Sequence, residues 1–299
     1  MAAVQGQNAL RAMRDPLARG QPWHHVCIEN PDAQPGARRR PGMQTAMNGV
    51  LEKILSTETV SDGATSLPLR HPDFPTLPVA IDRAEGALLQ RIIDDIKPHS
   101  SVEIGCAYGV STLYICEALA RLPHSSHHVV IDPFQCTQWR GIGRKHVNDA
   151  GFGWLVDFRE DYAELVLPSL LRDNHRVEFA FVDGWHTFDQ VMVEFYFLNR
   201  LLPVGGVIAF DDANRRSVNR VVRHALKYPS YRVYGTERPQ NSGGILGRAR
   251  RALAKVPRVE TIVRPDVLQR DWDLGILGSC VAIQKVSDDR RTSGWDRDF

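Results

Sequence analysis

Five carboxylates and one histidine carry the chemistry of this sequence. Glu103, Asp132, Asp183 and the pair Asp211-Asp212 each stand at or just inside the end of a short apolar run, and His186 follows three residues after Asp183. In an open α/β sheet, ligands sit in the crevice beyond the carboxyl ends of the strands. A single aspartate at a strand end is commonly only a turn or helix cap. Acids at four strand ends converging on one crevice repel one another, and a cation or hydrogen-bond donors must offset that repulsion. Asp211 and Asp212, with Asp183 from the neighbouring strand, offer the hard oxygen ligands that Mg²⁺ or Ca²⁺ takes. Asp132 stands at the end of the second strand, where a ribose diol is commonly held. His186 titrates near neutrality and can take a proton from a hydroxyl; the plainer alternative is a histidine that hydrogen-bonds a loop backbone.

These residues need strands to carry them and turns to aim them. In SVEIGCAYGVST (101–112), Val102 and Ile104 alternate with polar neighbours as a short strand does. Glu103, Gly105 and Gly109 follow the spacing E-x-G-x-x-x-G, and the apolar positions after Gly109 suit a helix. A dinucleotide turn reads G-x-G-x-x-G so that pyrophosphate can approach the backbone. Here Cys106-Ala107-Tyr108 would crowd a pyrophosphate and Glu103 would repel it, whereas Glu103 can accept hydrogen bonds from a polar or cationic ligand.

Upstream, residues 82–96 form an amphipathic helix that runs into Lys97-Pro98. Downstream, strands are expected at 127–133, 155–158, 177–184, 205–212, 231–236 and 278–286. Helices are expected at 138–150, at 162–172 around a break at Pro168, at 188–202 and at 218–226. This alternation implies a mostly parallel sheet with helices on both faces, closed by an antiparallel last strand. The fold class is α/β, a Rossmann-like doubly wound sheet of seven strands.

The 299 residues are 43% hydrophobic, enough to bury one substantial core, and the net charge of +2 gives no case for nucleic acid. Five scattered cysteines without a C-x-x-C argue against a disulfide framework or a zinc site and fit a reducing, cytoplasmic setting. No apolar run approaches the roughly 20 residues of a membrane helix. Residues 1–48, with six arginines against three acids, read as a basic extension. Arg38-Arg39-Arg40 and the group Trp23, His24 and His25 lie within it. A main domain covers 49–286, with a short helix at 49–58, its core at 82–236 and 278–286, and an insertion at 237–277; a polar tail follows at 287–299. Residues 245–256 of the insertion form a basic amphipathic helix candidate.

EIGCAYGVST, VIDP, FVDGWHTFD and LLPVGGVIAFDD resemble, in order and spacing, class I S-adenosylmethionine-dependent methyltransferases. Among these they are similar to the catechol O-methyltransferase-like group and its bacterial small-molecule relatives. The likeness covers Asp82 to Asp212, with weaker support to Val286. It implies S-adenosylmethionine as cofactor, with Glu103, Gly105, Gly109 and Ser111 near the methionine portion and Asp132 on the ribose. Asp161 becomes an adenine contact, or simply a helix N-cap, and Asp183 also borders the cofactor. Asp183, Asp211 and Asp212 match metal-ligand positions for Mg²⁺ or another divalent cation; the family often has Asp-Asn where this chain has Asp-Asp. His186 stands where the family commonly places a lysine base. The basic residue usual before the proline of the LLPVGG element is Leu202 here. Trp185 and Phe188 either pack their loop or wall an acceptor pocket.

The leading expectation is therefore O-methylation of a small-molecule acceptor. A metal-independent N- or C-methyltransferase and a non-catalytic S-adenosylmethionine-binding protein are the alternatives, and a homodimer is left open. The acceptor itself is not legible, because fold analogy does not reach it.

Overall fold

The computed structural model describes residues 43–73, 76, 78–237 and 269–292. Trp23, His24, His25, the arginine run 38–40 and the segment 245–256 lie outside the described residues. Helix α1 (Met43–Thr57) leads into the hairpin β1 (Thr59–Ser61) and β2 (Ser66–Pro68), and then α2 (Arg83–Ile96). Five strand–helix units follow: β3 (Ser100–Ile104) and α3 (Val110–Arg121), β4 (His127–Ile131) and α4 (Ile142–Asp149), β5 (Val156–Arg159) and α5 (Ala163–Arg172), β6 (Phe179–Val182) and α6 (Phe188–Leu201), β7 (Val207–Phe210) and α7 (Arg216–Ala225). Strand β8 (Tyr231–Thr236), the short α8 (Asp271–Leu274) and β9 (Val281–Lys285) complete the order.

The seven strands run β5-β4-β3-β6-β7-β9-β8, with every neighbouring pair parallel except those made by β9. The expected antiparallel last strand is thus present, inserted between β7 and β8. Both faces are covered, so the central strands β6 (FAFV) and β7 (VIAF) are apolar throughout. In β6, Phe179 and Phe181 join the core under α1 to α4, while Ala180 and Val182 join the core under α5 to α7.

Local chemistry sets the element ends. Asp82 accepts from the amides of Ala84 and Glu85, and Glu85 reaches back to the Asp82 amide at 2.8 Å, a reciprocal capping box that starts α2. Lys97, left-handed at φ +48, ends it before Pro98. Two expectations need correction. Pro168 lies inside a continuous α5 without breaking it; the hydrogen bond it forfeits is the one to the carbonyl of Glu164. Helix α4 begins at Ile142 instead of 138, because Arg140 and Gly141 are both left-handed. Cys106, Cys116 and Cys280 are free and buried. No helix among the described residues is long and apolar enough to cross a membrane.

Helix α6 ends in a buried cation: Lys285 Nζ donates to the carbonyls of Asn199 at 2.7 Å and Leu202 at 2.9 Å. Near its middle the helix carries the opposite problem. Glu194 is 1% exposed, and its Oε2 has no partner among the described residues. Burial pushes its carboxyl up to about 8, against the lowering hydrogen bond from Gln190. The unfolded chain ionises near 4.5 while the folded chain keeps the proton, so stability falls as pH rises from about 4.5 to about 8. Glu194→Gln is expected to flatten that slope. Urea titrations should show the variant more stable at pH 8, by on the order of a few kcal/mol, and indistinguishable from the parent at pH 4.

Candidate functional site

The turn after β3 fixes the site. Gly105 has φ +88, and a Cβ there would stand 2.1 Å from the carbonyl oxygen of Asp183. Only glycine lets the two backbones meet, since the close approach and the left-handed φ exclude a side chain together. Strand hydrogen bonds pin both sides, Gly105 N to Ile131 O at 2.9 Å and Asp183 N to Ile104 O at 2.8 Å. Gly109, at φ +81, is the N-cap of α3 and approaches Gly143 of α4.

Asp132 fastens this turn from the side. Its Oδ2 accepts from the amides of Cys106 (3.0 Å) and Ala107 (2.9 Å) and from Gln135 Nε2 (3.0 Å), and its Oδ1 accepts from the Phe134 amide (2.9 Å). Burial raises its carboxyl despite these bonds. The amides of Gly105, Cys106, Ala107 and Gly109 all have intramolecular acceptors. The turn therefore has few donors left for a pyrophosphate, which agrees with the sequence argument against a dinucleotide.

Glu103 is wholly buried one residue before the strand's end. Ser111 Oγ, from the first turn of α3, donates to its Oε1 at 2.5 Å, and His128 Nε2 lies 3.1 Å from its Oε2. Sequence reasoning paired Glu103 with Ser111 but missed His128. The available signal was a histidine at an inward-facing strand position.

Beyond β6 and β7, Asp183 and Asp212 face His186. Its Nε2 is 3.7 Å from Asp183 Oδ1 and 3.5 Å from Asp212 Oδ2, and its carbonyl accepts from Ser217 Oγ. His186 and Asp212 are both left-handed, at φ +54 and +53. Burial pushes the imidazole down to about 4 although Asp212 opposes this. Asp183 is raised well above its ordinary value, first by burial and then by Asp211 and Asp212. Burial and then Glu85 push Asp211 up to about 7, and its Oδ1 has no partner among the described residues. Asp212 is paired with Arg215, Nε to Oδ2 at 2.6 Å.

The expected metal set is not assembled. Among the described residues no three His, Cys, Asp or Glu side chains are arranged to hold an ion. Asp212 Oδ2 pairs with Arg215 and also stays 3.5 Å from His186 Nε2. Asp161 is exposed and accepts only from the Tyr162 amide, and Tyr162, not Asp161, is the N-cap of α5. Trp185 is 42% exposed and packs on Phe134, with ring centroids 5.4 Å apart, and Phe134 meets Tyr162 edge-on at 6.1 Å. This aromatic surface, two residues from Asp132, was not foreseen; its members come from three separate loops.

A family model described as a methyltransferase domain matches residues 102–213. A comparison with curated proteins found no match. Among solved structures the chain is similar to an O-methyltransferase from Bacillus cereus in complex with SAH, at 18% identity and a TM-score of 0.50, over 62% of this chain and 82% of that one. It is also similar to an SAH-bound methyltransferase from Podospora anserina, at 16% identity and a TM-score of 0.51, over 80% of this chain and 87% of that one. At these identities the likeness is one of fold.

The backbone contact at Gly105 can be tested against a second left-handed glycine. Gly141 has φ +69 but open space around its Cβ position. Gly141→Ala should cost about 1–2 kcal/mol, the left-handed penalty alone. Gly105→Ala should cost several kcal/mol, about 3 or more, because overpacking is added. Equal losses in denaturation midpoints would show that the turn does not press on Asp183.

Proposed function

We propose that this chain, of which residues 102–213 match a methyltransferase-domain model, is an S-adenosylmethionine-dependent methyltransferase that moves the methyl group to a hydroxyl of a small molecule. The observation that carries the reading is a coincidence of place. The matched stretch contains Glu103, Asp132, Asp183, His186, Asp211 and Asp212, and the fold brings their strand ends to one edge of the sheet.

S-adenosylmethionine supplies a methyl group on a sulfonium, activated for in-line displacement. The chain offers groups suited to its parts. Glu103, held by Ser111 and His128, has acceptor capacity for the ammonium of the methionine portion. Asp132 Oδ1 carries a single hydrogen bond and can accept another from a ribose hydroxyl. The Trp185–Phe134 surface offers apolar rings to a purine. Asp183 closes the site from the β6 side.

His186 is the proposed base. Neutral at rest, it takes the acceptor's proton at Nε2, where the carboxylate of Asp212 stabilises the imidazolium that forms. Orientation of acceptor and sulfonium supplies much of the remaining rate effect. His186→Ala is expected to lower kcat by about 10²–10⁴-fold with little change in cofactor affinity. The loss should shrink for phenols already ionised at the assay pH. A uniform loss with a raised KM would make His186 a loop-holding residue.

Asp183, Asp211 and Asp212 are the oxygen donors a divalent cation would use, but Arg215 already compensates Asp212, and no step is routed through a metal. Turnover is accordingly expected to persist in excess EDTA. Abolition by EDTA with recovery on adding Mg²⁺ would mean that Asp212 leaves Arg215 to become a ligand.

A further inference from the structure

A buried polar chain stands behind Glu103. Ser101 Oγ lies 2.9 Å from His128 Nδ1, His128 Nε2 lies 3.1 Å from Glu103 Oε2, and Ser111 Oγ reaches Glu103 Oε1. Ser101, Glu103 and His128 are 0% exposed and Ser111 is 6% exposed. Ser101 and His128 are register partners across β3 and β4, so the sheet itself holds the ring against both its neighbours.

With Glu103 accepting, Nε2 carries a ring proton; Nδ1 then either accepts from the Ser101 hydroxyl or donates to it while that hydroxyl donates to the His127 carbonyl at 3.5 Å. Both oxygens of Glu103 are then fixed, one by His128 and one by Ser111, with lone pairs to spare. Packing alone does not call for this. A buried acid–histidine pair is often no more stable than apolar residues of the same volume, and Val102, Ile104, Val129 and Val130 show what these strands otherwise use.

We infer that His128 is a positioning residue for cofactor recognition: backed by Ser101 and acting through Glu103, it sets the carboxylate that receives the methionine ammonium. The inference rests on the proposed placement of S-adenosylmethionine. It separates two parts of the ligand, because His128 should matter only where Glu103 matters.

Calorimetric titration with S-adenosylmethionine and with 5′-methylthioadenosine makes the test, since the second ligand keeps the nucleoside and sulfur but has no ammonium. His128→Phe is expected to weaken S-adenosylmethionine binding about 10-fold, the scale of one charge-assisted hydrogen bond, and 5′-methylthioadenosine binding less than about 2-fold. In a Glu103→Gln background the same substitution should add less than about 2-fold, the non-additivity of residues acting as one unit. Equal losses for both ligands, additive losses in the double variant, or no loss in His128→Phe while Glu103→Gln binds poorly would each overturn the role of His128. If Glu103→Gln binds S-adenosylmethionine normally, the cofactor placement fails and the role of His128 falls with it. If the unaltered chain binds neither ligand, the proposed function itself fails. Should His128→Phe not fold, Ser101→Ala reads the same relay from its far end. A loss of about 3-fold confined to S-adenosylmethionine supports the role, and an equal loss or none overturns it.

Discussion

The carboxyl edge of the sheet depends on one contact, the backbone of Gly105 lying against the backbone of Asp183. It joins the end of β3 to the end of β6 and sets how far apart Glu103, Asp132 and Asp183 stand. Asp132 fastens the turn by collecting two of its amides, and Gln135 and Phe134 secure Asp132 in place. The fastening also selects chemistry. Amides spent on Asp132 are not free to bind phosphate, so ligand charge is met by side-chain carboxylates, which favour a cation. A sulfonium compound bearing an ammonium is such a ligand.

The same edge accumulates more acid than it can ionise in isolation. Glu85, Asp183 and Asp211 are all shifted upward, with burial as the first cause in each. Three kinds of local compensation appear. Glu85 is tied into a capping box and accepts from Ser279, Glu237 accepts from the amides of Ser279 and Cys280, and Asp212 has Arg215. Asp211 Oδ1 is left without such a partner among the described residues. Demand for positive charge thus remains at Asp211, whose neighbours are Glu85, Asp212 and Glu237.

Most of the sheet could be read in advance because a doubly covered strand announces itself as a short apolar run with a polar end. FAFV and VIAF are examples, and the acid following each marked the crevice. What could not be read was any relation set by register between strands. Asp132 as the fastener of a turn some 25 residues earlier, and His128 behind Glu103, exist because β3 and β4 pair in one alignment. A sequence read alone assigns each acid to a ligand, whereas the fold gives several of them a structural partner first. The carboxylate pair is a case of this: adjacent aspartates suggested a shared ion, and in the fold the second of them pairs with Arg215. Pro168 erred in the other direction: a proline reads locally as a break, and α5 continues through it.

The departure at Leu202 shows how such differences should be weighed. Members of the resembling family commonly carry a basic residue there, just before the proline that ends α6, and this chain does not. Yet the carbonyl of Leu202 and that of Asn199 both accept from Lys285, which arrives from β9 on the far side of the turn. A cation at the last turn of a helix satisfies exposed carbonyls and opposes the helix dipole from whichever segment supplies it. Lys285 is 6% exposed, so the contact also ties the inserted antiparallel strand to the helix that follows the His186 loop. The physical requirement is a positive charge at a place, and the sequence position that meets it can move. Arg215 beside Asp212 obeys the same logic: where a carboxylate pair needs a cation, a guanidinium three residues away can stand in for one drawn from solution.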